Sequence, residues 1–233
     1  MKATPLTLLL LLTATPAKSA EVEATHYPRV IFADDFSGTD FDKRWGHYKS
    51  GSVVRDGVLV GITPENSDHA AVDNIRFDGE KDLEVSVRFR FVSEKAKGFN
   101  VWLDDKNYKN SHAGHICSVT VTPATLTMSD AKTGNFQNDI YEKKKTPEGL
   151  TPEQKAMLAT KTRRVQVTVS QGDWHTLLVR TKDDEVSVQL DGGPFETFKS
   201  EGIAHVSKTL VSLTTNLLDV HYDDFCVRGV AKP

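Results

Sequence analysis

Cysteine is scarce in this sequence: two in 233 residues, Cys117 and Cys226, each inside an apolar, strand-like run. So few exclude the disulfide framework of a small secreted domain, and a thiol in such surroundings commonly behaves as a small buried hydrophobe. Pairing of the two would need Cα atoms within about 7 Å, which the sequence leaves open. An excess of either charge is also missing. Lysine and arginine number 29 against 32 aspartates and glutamates, the formal net charge is −3, and no basic run is denser than Lys143-Lys144-Lys145. Nucleic acid is therefore excluded as a partner. Long hydrophobic runs are lacking too, since the N-terminal stretch Leu6 to Leu12 is too short to cross a bilayer. The expectation is a monomer that does not span a membrane.

That short stretch has another use. Lys2, the run Leu6 to Leu12 and the small residues of TATPAKSA supply the charged, apolar and cleavage regions of a secretory signal. Residues 1–20 are read as a cleavable signal peptide, its boundary open between 17 and 24, and the protein as exported to the periplasm or beyond the cell. A buried first helix is the competing reading, but Thr13, Thr15 and Pro16 break the run before any amphipathic period appears. Residues 29–230 remain for a single domain, a size at which one β-sandwich still buries an adequate core.

From Arg29 onward short β-rich runs recur with turn signals between them, among them RVIFADDF, DLEVSVRFRF, FNVWLDD, HICSVTVTP, WHTLLVRTK and EVSVQLDGG. Many short strands with little helix between them predict an antiparallel β-sandwich. A closed barrel is the second choice. Asp56-Gly57 and Asp183-Asp184 read as hairpin turns. Leu83, Val85, Val87, Phe89 and Phe91 alternate with Asp82, Glu84, Ser86, Arg88 and Arg90, which predicts one buried and one open face. Val186, Val188 and Leu190 repeat the pattern, and the open faces together are expected to make a concave polar surface. Residues 130–161 interrupt the strands. There Thr151-Pro152-Glu153-Gln154 has the form of a capping box with proline at the first helical position, predicting one short helix over Thr151 to Ala159. So long an insertion is read either as a rim over a site or as a solvated excursion pinned by Met157 and Leu158.

Several of these runs carry a resemblance. VIFADDFSGTDFDKRW, VVRDGVLVG, DHAAVDN, GHICSVTVTPATLTMSD, GDWHTLLVR with EVSVQLDG, and YDDFCVRG resemble the concanavalin A-like jelly roll of lectins and glucanases. Among its branches the chain is similar to exported bacterial domains grouped with the 3-keto-disaccharide hydrolases, over about Val30 to Val227. The resemblance implies two curved antiparallel sheets, terminal strands side by side, and a concave face used for carbohydrate. It implies a hydrolase, without a catalytic signature that matches residue by residue.

The candidate site lies between Gly98 and Thr122. Alternation puts Asn100, Trp102 and Asp104 on one face, so that a tryptophan stands among polar neighbours and offers a flat surface for a sugar's C–H face. The other reading has the insertion fold over Trp102 and make it core. The following loop adds Tyr108, His112 and His115. His115 and His112 are candidate general bases with Asp104 orienting them, or candidate ligands of a catalytic divalent metal with Asp104 or Asp105 as a third donor. Strand parity, however, sets His115 on the core face with Cys117. Arg88 and Arg90 share an open face and could bind sugar hydroxyls or a carboxylate, or else pair with acids on neighbouring strands. Trp45 and Trp174 are read as packing residues, and Glu80, Asp82 and Glu84 as a solvated strand entry rather than a glycosidase pair. Asp34, Asp35, Asp223 and Asp224 would cluster if the first and last strands pair, and could hold a structural calcium or simply cap strand ends. The sequence thus points to a carbohydrate-active protein, either an enzyme cleaving glycosides such as 3-keto-disaccharides or a lectin-like binding module.

Overall fold

A computed structural model describes residues 26–216 and 220–232, so the expected signal segment and its cleavage boundary lie outside the described residues. In chain order the strands are β1 (Arg29–Asp34), β2 (Trp45–Tyr48), β3 (Val53–Arg55), β4 (Val58–Gly61), β5 (Ala71–Glu80), β6 (Leu83–Phe91), β7 (Gly98–Asp104), β8 (His115–Val121) and β9 (Thr125–Asp130). After two helices, α1 (Asn138–Lys143) and α2 (Pro152–Ala159), come β10 (Thr162–Gln166), β11 (His175–Lys182), β12 (Glu185–Leu190), β13 (Glu196–Lys199), β14 (Lys208–Asn216) and β15 (Val220–Gly229). They build two antiparallel sheets. The back sheet is eight-stranded, in the order β13-β12-β11-β6-β15-β4-β3 with β1 also on β15, and the front sheet is seven-stranded, in the order β10-β9-β8-β7-β14-β5-β2. Among the described residues no helix is long and apolar enough to cross a membrane.

The alternations account for the layers. On β6, Leu83, Val85, Val87, Phe89 and Phe91 are all buried while Glu84, Ser86, Arg88 and Arg90 point out. The front sheet answers with Phe99, Val101 and Leu103 on β7 and Val211 and Leu213 on β14, each 0% exposed. Phe89, Phe91, Phe99 and Tyr222 meet ring to ring across the sandwich, with centroids 4.8 to 6.3 Å apart. Both hairpins form as read. Asp56 and Gly57 take φ of 54° and 75° between β3 and β4, the left-handed backbone a two-residue turn of this kind requires, and Asp183 takes 52° between β11 and β12. Strand β1 pairs antiparallel with β15, so the terminal strands do lie side by side.

Helix α2 begins at Thr151 with the reciprocal capping box complete, its hydroxyl accepting from the Gln154 N–H and the Gln154 side chain accepting from the Thr151 N–H. Helix α1 was not foreseen, having six residues and no side-chain cap at Gln137. The cysteines sit on different sheets: Cys117 faces the core from β8, Cys226 is on the outer side of β15, and both are free.

Candidate functional site

The outward face of the front sheet is polar and built from small side chains. Cross-strand register places Asn74, Ser212, Trp102, Ser118, Ser129 and Thr162 in one row, and Thr214, Asn100, Thr120, Thr127 and Arg164 in the next. Seven strands mean six steps of about 4.8 Å, a face roughly 29 Å across. Trp102 is the large side chain near its middle. It is half-buried, neither a core residue nor a free platform, because the insertion brings Phe136 edge-on against it at 5.2 Å.

His115 stands beside that ring, centroids 4.3 Å apart. Parity had put it with Cys117 on the core face. The structure corrects this through a register shift: Leu103 lies opposite Cys117, but Asp104 lies opposite His115, with Ile116 as the extra residue between. The bulge turns His115 outward onto the Trp102 face. There its Nδ1 is 2.8 Å from Asp104 Oδ1, and Asp104 is 2% exposed. A carboxylate only accepts, so Nδ1 carries the hydrogen and Nε2 keeps the lone pair. That Nε2 has no hydrogen-bond partner among the described residues, and the side chain is 19% exposed. His112, on the 3₁₀ turn His112–Gly114, lies 6.4 Å from His115 ring to ring and stacks on Tyr141 of α1 at 3.8 Å. Burial, then repulsion from His115 when protonated and from Lys145, push its pKa down, and Asp104 is committed to His115.

Histidine–aspartate pairs recur elsewhere, so pairing alone marks nothing. His205 Nε2 is bonded to Asp105, with both side chains buried. His175 bridges Asp191 and Ser170 through both ring nitrogens. His47 pairs with Asp73 at the far edge of the front sheet, edge-on to Phe41. Among the described residues His115 alone combines a carboxylate-held Nδ1, an unpartnered Nε2 and a place against Trp102 on the polar sheet face.

The remaining predicted residues disperse. Asn100 does share the Trp102 face, accepting from Thr120 Oγ1. Tyr108 turns away from Trp102 and packs edge-on to His205. Arg88 and Arg90 are the main correction. The link between β6 and β7 crosses from the back sheet to the front, so the two arginines point out of the opposite side of the sandwich. There they flank Trp174, each guanidinium 4.9 Å from its ring, and Arg88 pairs with Asp223 and Asp224. Trp174 is thus half-buried at that surface, whereas Trp45 is core and donates its indole N–H to Asp34.

The pairing of β1 with β15 brings both Asp-Asp-Phe runs to one shallow cleft lined by Asp34, Asp35 and Asp224. Each of the four carboxylates has at least one oxygen engaged: Asp34 by Trp45 and the Phe36 N–H, Asp35 by the Ser37 N–H, Asp223 and Asp224 by Arg88. Among the described residues no three His, Cys, Asp or Glu side chains are grouped to hold a metal ion. Glu80 and Asp82 are buried, not solvated as the sequence suggested. Glu80 pairs with Arg29, Glu84 with its cross-strand neighbour Arg180, and Asp82 accepts the Asp183 N–H, so the three never converge. Phe136 and Tyr141 were missed. Their one signal was aromatic content in an otherwise polar insertion.

No family model matches the sequence, and no curated protein matches it. Solved structures do match. The laminarinase from Rhodothermus marinus superposes with a TM-score of 0.59 at 12% identity, covering 88% of this chain and 98% of that one. A non-specific endo-β-1,3(4)-glucanase of family GH16 gives 0.58 at 12%, covering 89% and 92%. The carbohydrate recognition domain of Emp47p gives 0.55 at 13%, covering 87% and 98%. The pairing of terminal strands, the two antiparallel sheets and these superpositions together make the fold of this chain the concanavalin A-like jelly roll.

Proposed function

We propose that this protein is an exported, carbohydrate-active enzyme that cleaves glycosides on the outer face of the front sheet, with His115 as the base. The observation that carries the reading is the Asp104–His115 pair standing against the half-open Trp102 ring. In this scheme the ring stacks on a sugar's C–H face while Asn100 and Thr120 meet hydroxyls. The substrate is a glycoside such as a 3-keto-disaccharide, whose ketone acidifies the neighbouring C2–H. His115 Nε2 takes that proton, the C–H pair becomes a C1=C2 double bond, and the C1–O bond breaks. The imidazolium returns the proton to the leaving oxygen, and water added across the double bond completes hydrolysis. One positioned base suffices. That matters because Asp104, the carboxylate on this face, is already committed to His115, whereas a retaining glycosidase needs two carboxyls about 5–5.5 Å apart.

The same commitment favours a second reading, a lectin-like module that uses only the ring and the polar face. Incubating the protein with ordinary and 3-keto disaccharides, with and without chelator, separates the two. Released monosaccharide that disappears in His115→Ala and persists in His69→Ala, where the lost ring is exposed and bonded to the Ala70 carbonyl beside Tyr48 at the β2 edge, supports the enzyme. Binding without turnover by any variant leaves the module, and turnover lost with chelator would assign the chemistry to a metal.

A further inference from the structure

Beside His115, the loop from Lys106 to Gly114 and the insertion enclose two clefts that share Tyr108 and Asn138. The smaller, about 450 Å³, is lined by Lys106, Lys109 and His112 and by no carboxylate. The larger, about 670 Å³, adds Lys132 and Lys161 with Asp139 and Glu201. Lys161 is neutralised, 2.8 Å from Glu201 and 4.0 Å from Asp130. Lys132 is not: its ammonium rests over the Tyr108 ring at 5.2 Å and has no carboxylate within ion-pair distance among the described residues. Lys106 and Lys109 each spend one proton on a backbone carbonyl, those of Ala113 and Lys106, and likewise pair with no carboxylate among the described residues. Three cations without carboxylate partners among the described residues thus line two clefts that adjoin at Tyr108 and Asn138, in a chain whose net charge is −3. Scattered surface lysines are ordinary, but Lys106 and Lys109 share with His112, 6.4 Å from His115 ring to ring, a cleft free of carboxylates, and Lys132 borders it over the Tyr108 ring. Burial is the main reason the His112 pKa is depressed, with His115 when protonated, Lys145 and Lys106 adding to it against Glu142.

We propose that this cleft is an anion subsite of the sugar site: it takes the carboxylate or sulfate substituent of an acidic glycan while the neighbouring unit lies on Trp102 beside His115. The inference rests on the carbohydrate reading above and narrows its substrate class. Ammonium groups act here as point charges that attract the substituent and raise its local concentration.

Calorimetric titration of the full chain with trigalacturonate, a sulfated galactose trimer and neutral galactotriose tests it. At low salt the better acidic probe should bind about tenfold tighter than the neutral one, about 1.4 kcal/mol. That advantage should vanish in K106Q/K109Q/K132Q while galactotriose binding is unchanged, which also shows that the variant is folded. Whichever acidic probe binds tighter identifies the substituent. Equal binding of acidic and neutral probes would overturn the subsite and leave the sugar reading intact. An acidic preference untouched by the triple variant would place the anion elsewhere and overturn it as well. Failure of all three sugars to bind would overturn the subsite, and the disaccharide assay above then decides the carbohydrate reading by itself.

Discussion

With Nδ1 held by Asp104, His115 has one nitrogen left for chemistry, and each partner can be tested separately. Replacing His115 by Ala should lower kcat by about 10²–10⁴ with little change in KM, the range expected for loss of a general base. Asp104→Asn should lower kcat less and shift the pH–rate profile, because the amide no longer fixes the tautomer that leaves Nε2 unprotonated. Trp102→Ala should weaken sugar binding. Being half-buried, the ring should also cost less stability than the about 3–5 kcal/mol of a fully buried tryptophan, as denaturant unfolding would show. At this scale the sequence was legible where strict alternation held: Asn100, Trp102 and Asp104 do share a face. It misled at His115, because the bulge at Ile116 shifts parity by one and no local signal announces it. It misled again at Arg88 and Arg90, since alternation says which residues point outward but not out of which sheet.

The hairpin β7–β8 presents the site, and its loop depends on one glycine. Gly114 adopts φ of 77°, and a Cβ there would strike the Asp105 carbonyl, whose own N–H closes the loop on the Gly114 oxygen. Gly114→Ala should therefore cost about 1–3 kcal/mol in urea unfolding and displace His112 and His115, lowering turnover even where the protein remains folded. Thr151→Ala should remove about 1 kcal/mol from α2, read as local fraying by hydrogen exchange, with the sandwich unaffected. The two helices contrast in legibility. Proline and the capping box announced α2, whereas α1 is held by the contacts of Ile140 and Tyr141 with the rest of the protein, which local sequence does not encode. For the same reason the insertion could be read as a rim without revealing that Phe136 would land on Trp102.

For the whole molecule, the buried His205–Asp105 pair links stability to pH. Burial lowers the His205 pKa, with Asp105 only partly opposing, so acidification first protonates the unfolded chain and stability falls as pH drops through and below about 6.5. Asp105 is held low against its own burial by hydrogen bonds from His205 and the Asn107 N–H, which adds a second loss below about pH 4. Urea titrations from about pH 8 to about pH 5 should show the first decline, flattened in His205→Gln.

The central claim concerns which surface of the sandwich meets the sugar, and the three tryptophans report on it separately. Trp45 is in the core, Trp102 on the front face and Trp174 on the back, so an ¹⁵N NMR spectrum holds three distinguishable indole N–H signals. Titrating in the glycan that binds should move the Trp102 signal, together with the His115 ring resonances, and leave Trp45 and Trp174 in place. Movement of Trp174 with Trp102 unchanged would put the sugar on the opposite sheet, among Arg88 and Arg90, and contradict the account.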